Sequence, residues 1–181
     1  ESMFGNTRDV ARANAEGIGA YLPVDLLDVA DAPATLPADV ALVVVGGPTH
    51  AHGMSKPESR ADSARRAGDR LVSRGIGIRE WLDALQPVGT RVGAAAFDTR
   101  IKGPGLLWGS AAKPAAKRLE SLGFRLLEPA EDFLIGGPTG PLNAPPHPSW
   151  VRTPPILQGG RQAGMRHPSC CAPAHRRRRV H

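Results

Sequence analysis

The sequence predicts an α/β fold with a doubly wound, parallel β-sheet, on three observations. Short apolar segments alternate with helix-like segments along most of the chain, the pattern of parallel strands joined by helical crossovers. One segment, residues 39–47 (DVALVVVGG), is a continuous apolar run rather than an alternating one, as strands covered on both faces are. The length of 181 residues suits one domain with a sizeable core.

The elements follow in order. Residues 1–22 (ESMFGNTRDVARANAEGIGAYL) form a polar turn running into a helix, with Val10, Ala13, Ile18 and Tyr21 as its apolar stripe. Residues 23–33 (PVDLLDVADAP) alternate Val24, Leu26 and Val29 with acids, which predicts a sheet-edge strand. The run at 39–47 is the next strand, closed by Gly46 and Gly47. From Lys56 to Leu85 the sequence gives a solvated helix carrying Arg65, Arg66, Asp69 and Arg70. The stretch Gly75 to Gly77 breaks it from a second helix anchored by Trp81, Leu82 and Leu85. Residues 91–97 (RVGAAAF) read as a buried strand and residues 109–124 (GSAAKPAAKRLESLGF) as a helix ending on Leu119, Leu122 and Phe124. Residues 124–135 (FRLLEPAEDFLI) supply the last strand, in two pieces around Pro129.

Beyond this the character changes. Residues 138–181 hold 9 of the 18 prolines and 4 of the 6 histidines. Proline removes backbone donors and the like charges of Arg176 to Arg179 repel, so residues 143–181 are expected to form a disordered tail behind a domain at 1–142. The net charge of +6 belongs to that tail: residues 1–150 carry 16 Lys and Arg against 17 Asp and Glu, whereas residues 151–181 carry 7 Arg and no acid. A nucleic-acid partner is therefore not expected of the body, and the Arg run reads as a solvated terminus. Its abrupt onset and Arg/Pro/Ala bias suggest an out-of-frame tail. Both cysteines, Cys170 and Cys171, lie there too. No window reaches the roughly 20 apolar residues of a membrane span, and the opening lacks a signal-peptide layout, so no membrane and a cytoplasmic setting are expected.

Three loops carry the candidate chemistry. Ser2-Met3-Phe4-Gly5-Asn6-Thr7 sets hydroxyls and a glycine before a helix, where N–H groups and the helix dipole favour a phosphate; an ordinary helix cap by Thr7 is the plainer alternative. Pro48-Thr49-His50-Ala51-His52-Gly53 follows the 39–47 strand, at the strand ends where open parallel sheets bind ligands. His50 and His52 have no third metal ligand at usable spacing, so no metal is expected. Phe97-Asp98-Thr99-Arg100 ends the 91–97 strand, with an Asp-led turn as the alternative. No nucleophile elbow, no GxxxxGK[ST] loop and no GxGxxG is present; the nearest approach, Gly103-x-Gly105, has Trp108 at the third glycine.

Together and in this order the three loops resemble those of flavodoxins and flavodoxin-like FMN proteins, over residues 1 to about 142. Ser2, Gly5, Asn6 and Thr7 match the family's [ST]-x-T-G-x-T phosphate loop, while Phe4 stands at its usual third-position Thr and removes one hydroxyl. The resemblance implies FMN as cofactor, bound by all three loops, and a strand order of 2-1-3-4-5 with the first strand absent and no closing helix. It also implies a poorly stable chain, or one whose second strand closes directly on the third. His50 or His52 would stack on one side of the isoalloxazine, and Arg100 or Trp108 would approach the other. The function implied is electron transfer with a redox protein partner, a reductase or an acceptor, with no catalytic residues of its own. An FMN-dependent NAD(P)H:quinone-type oxidoreductase and a non-functional, truncated or frameshifted fragment are the alternatives.

Overall fold

The computed structural model describes residues 1–51, 53–88, 91–101 and 109–142. The expectations for His52, for Gly103 to Trp108 and for the tail at 143–181 lie outside the described residues.

Helix α1 spans Asn6–Gly19 and buries Val10, Ala13, Asn14 and Ile18, a stripe spaced for one helical face. Tyr21, expected on that stripe, lies past the helix end and is 52% exposed. Strand β1 is Leu42–Pro48. Helix α2, Pro57–Ala67, buries only Ala67, consistent with its solvated character. A 3-10 turn at Gly68–Arg70 leads on to helix α3, Ile78–Ala84, fixed by buried Ile78, Trp81 and Leu82. Strand β2 is Gly93–Ile101 and helix α4 Ala112–Ser121. The last strand is split, as the sequence predicts, into β3 (Arg125–Leu126) and β4 (Glu131–Ile135).

All strand pairings are parallel: β1 with β2, and β2 with both β3 and β4. The two short strands follow one another along the same side of β2. Gly93 pairs with Arg125, but Phe97 pairs with Glu131, so two extra residues are taken up around Pro129. The sheet is covered on both faces. Ala95, Phe97, Val44 and Phe133 face α1 through Val10 and Ile18. Ala94, Ala96 and Val45 face α3 and α4 through Leu82, Ala115 and Leu119. This alternation along neighbouring strands is what the period of two requires, and helices on both faces of an open parallel sheet make it doubly wound. Phe97 and Phe133 meet edge to face, with ring centroids 5.8 Å apart, a geometry that adds about 0.5–1.5 kcal/mol to their burial. Gly46 lies flat against the Phe97 ring, which occupies the space any Cβ there would need.

Two expectations are corrected. Residues 23–33 form no strand: the segment is irregular, turns at Asp28 to Asp31 and pairs with no strand among the described residues. Isolated strands do not persist without a ladder, and β1 has β2 as its one strand partner among the described residues; the segment does not close onto it. Instead Val29 enters the core, and Pro33 and Ala34 carbonyls accept from Trp81 Nε1 and Gln86 N–H. The run at 39–47 also proves less covered than its composition predicts. Leu42, Val43 and Val44 remain partly exposed, because among the described residues only one strand flanks them. Among the described residues no helix is long and apolar enough to cross a membrane.

Candidate functional site

Parallel strands end together, and α1 and α4 both begin at those ends, so the carboxyl edge of the sheet gathers two helix N-termini and the loops between them. The start of α1 is shaped by Gly5, whose φ of 103° lies in the left-handed region that glycine enters at low cost. Ser2 Oγ then accepts the N–H groups of Gly5 and Arg8, each at 3.2 Å, and Ser2 N–H donates to Ser73 Oγ at 2.7 Å. The cap of α1 is thus Ser2 rather than Thr7. Of the N–H groups a helix cannot pair internally, those of Asn6 and Thr7 have no partner among the described residues. The Thr7 and Thr99 hydroxyls lie 2.7 Å apart and buried, one donating to the other. Asn6 Nδ2 donates to Pro138 O at 3.0 Å, drawing the loop after β4 against the same helix start.

A second centre forms on the opposite face of the sheet. Asp98, fully buried, receives four donors on Oδ2: Thr49 Oγ1 (3.0 Å), Ser110 Oγ (2.7 Å), Ala111 N–H (2.8 Å) and Ala112 N–H (3.1 Å). It therefore caps α4 from a strand, together with Ser110, whose Oγ accepts the Lys113 N–H at 3.2 Å. Asp132 sits directly across from it in the ladder, shares Ser110 Oγ at 3.3 Å and pairs with Arg100 Nη2 at 2.6 Å. Burial pushes the Asp98 carboxyl up and the Asp132 charge adds to this, against the hydrogen bonds from Ser110, Ala112 and Thr49. Asp98 Oδ1 is buried without a partner among the described residues.

The loop after β1 closes on itself. Thr49 N–H donates to Thr99 O, and His50 and Gly53 exchange backbone hydrogen bonds of 2.9 and 3.0 Å around Ala51, which adopts φ 50°. Burial holds the His50 imidazole below its ordinary pKa; Glu1 opposes this shift and Arg60 adds to it. Among the described residues no group of three His, Cys, Asp or Glu side chains is placed to hold a metal ion.

The structure brings the three sequence loops to one edge, but it distributes their side chains. Residues 97–100 are not a turn: they belong to β2 and pair with β4, so successive side chains point to opposite faces. Phe97 and Thr99 face α1, the first as core. Asp98 and Arg100 face the start of α4 with Thr49. Met3 is buried away from both groups, in a cleft beside Arg60 and Ser73. Pro48 ends β1, and Phe4 is partly buried.

Three further residues of the edge are not singled out by the sequence reading. Ser110 and Asp132 complete the Asp98 cluster, and an acid inside the apolar β4 run was the available signal. Pro138 belongs to Gly136-Gly137-Pro138-Thr139, which repeats Gly46-Gly47-Pro48-Thr49; the first copy closes β1 and the second follows β4.

Comparison of the chain with protein-family models, with curated proteins and with solved structures finds no match.

Proposed function

We propose that the chain binds FMN at the carboxyl edge of its sheet and serves as an electron-transfer protein toward a redox protein partner. The observation that supports this most directly is the start of α1: the N–H groups of Asn6 and Thr7, without a partner among the described residues, at the positive end of a 14-residue helix, beside the Thr7 and Thr99 hydroxyls. An anion is the ligand such a terminus favours. The residues there fit a phosphate monoester, which the Asn6 and Thr7 N–H groups and the Thr7 hydroxyl would hold without a lysine, Gly5 shaping the turn. Thr49, His50, Gly53 and the end of β2 would flank the ring system. Bound FMN supplies one- and two-electron chemistry at its isoalloxazine; the protein's part is grip, orientation and local electrostatics. Neutral His50 offers a flat, uncharged face, and the Asp132 pairing keeps the Arg100 guanidinium in place.

Quenching of FMN fluorescence on titration with the protein tests the reading. Saturable binding in the micromolar range, competed by inorganic phosphate and weakened by Thr7→Val, is the expected outcome. Absence of quenching by the folded protein would overturn it. Rapid NADH oxidation by the FMN-loaded protein would instead favour an oxidoreductase of the quinone-reducing type.

A further inference from the structure

We propose that the cleft beneath α2 is a second binding site, specific for a small amphiphilic carboxylate. The cleft has a volume of about 340 Å³ and lies between α2 and residues 71–75, within the size range of small-molecule sites. Its floor is the buried side chain of Met3 and its walls include Ala61, Ala64 and Leu71. These surfaces suit a short alkyl or aromatic body.

The polar groups around it are unequal. Arg60 is committed, with Nη2 on Glu80 Oε1 at 3.0 Å and Nη1 shared between Glu80 and Ser55. Ser73 Oγ accepts from Ser2 N–H and donates to Asp28, whose other oxygen takes Ala30 N–H. Arg74, at the mouth, has no carboxylate partner among the described residues and is exposed. One free guanidinium above an apolar floor selects a ligand with one anionic end, because a guanidinium binds a carboxylate through two parallel N–H donors. The wall formed by α2 is set by Arg60, whose hydrogen bonds to Glu80 and Ser55 fix the helix, while Ala67 is its one buried residue. The cleft adjoins the phosphate loop through Met3, which lines it, and through Ser73, which is hydrogen-bonded to Ser2, but its anion would be held by Arg74 rather than by the Asn6 and Thr7 N–H groups, so the two sites are tested by different variants.

The test uses the full chain labelled with ¹³C-methyl methionine and titrated with octanoate and, separately, octanol. Octanoate should shift the Met3 methyl resonance saturably while leaving Met54 largely in place. Octanol should bind more weakly, and Arg74→Ala, at an exposed position that leaves folding intact, should weaken octanoate about tenfold. Ala64→Phe should abolish the Met3 response by filling the cleft. An unmoved Met3 resonance, equal affinity for octanol, or an unaffected Arg74→Ala variant would each overturn the proposal.

Discussion

Strands β1 and β2 run side by side, in register from Leu42 opposite Gly93 to Pro48 opposite Thr99, yet they differ in the way opposite to their composition. The valine-rich β1 keeps most of its residues partly exposed, whereas the first seven residues of β2, rich in alanine, are all buried. The difference lies in position. β2 has strands on both sides and helices on both faces, and Ala94, Ala95 and Ala96 let those helices approach closely. β1 has a strand on one side among the described residues. Branched side chains report a liking for pleated surface, not which strand the fold places at its centre.

The same contrast extends to the strand ends. At the end of β2 a single carboxylate ties together β1, β2 and the start of α4, so the largest expected effect in the molecule is its removal. Asp98→Ala leaves the part-buried Thr49 hydroxyl and the Ala112 N–H short of an acceptor, with Ala111 N–H left only Thr49 Oγ1 and Ser110 only Asp132 Oδ1, and should cost about 2–3 kcal/mol in urea unfolding. Asp98→Asn retains one acceptor oxygen and should cost less, and Thr49→Val, which removes one of the four donors from the β1 side, about 1 kcal/mol. Equal losses for Asp98→Ala and Thr49→Val would show that the hub does not hold α4.

At the end of β1 the corresponding group is His50, and its effect should be smaller and dependent on pH. Burial lowers its folded pKa beneath the ordinary value of 6.5. Between those two values the unfolded chain binds more protons than the folded one, so stability falls as pH drops below about 6.5 and the loss levels off once the folded pKa is passed. His50→Gln should flatten that slope, read from unfolding midpoints at pH 7.5 and 5.5. An identical pH dependence in the variant would place His50 in solvent.

Much of the architecture was legible because it rests on local signals. The buried stripe of α1, the anchors Trp81, Leu82 and Leu85, and the break at Pro129 are all written into spacing and residue type. The site was legible only as a set of loops. Residues 97–100 read as a loop closing the 91–97 strand, with an Asp-led turn as the alternative, because Asp, Thr and Arg are polar, but pairing with β4 carries the strand through them and sends alternate side chains to opposite faces. No local pattern reveals that Asp98 would find a ladder partner in Asp132, 34 positions away, or that Ser2 would cap a helix from outside it. The edge strand at 23–33 failed for two reasons: its alternation breaks at Leu26-Leu27, which puts Val24 and Leu26 on one face and Val29 on the other, and a strand also needs a neighbour.

That segment offers the smallest expected effect and the sharpest view of the contrast. Leu26 and Leu27 are 46% and 53% exposed, while Val29, two residues on, is 6% exposed and part of the core. Were residues 23–29 a half-buried strand, alternation would set Leu27 and Val29 on one face, and both would resist substitution. In the irregular course observed, they differ. Leu27→Lys should change unfolding free energy by no more than about 0.5 kcal/mol, whereas Val29→Ala should cost about 1–2 kcal/mol through lost burial and an unfilled gap. Equal destabilisation by the two would mean that residues 23–29 pack as a strand in solution, and that β1 is flanked on its second side after all.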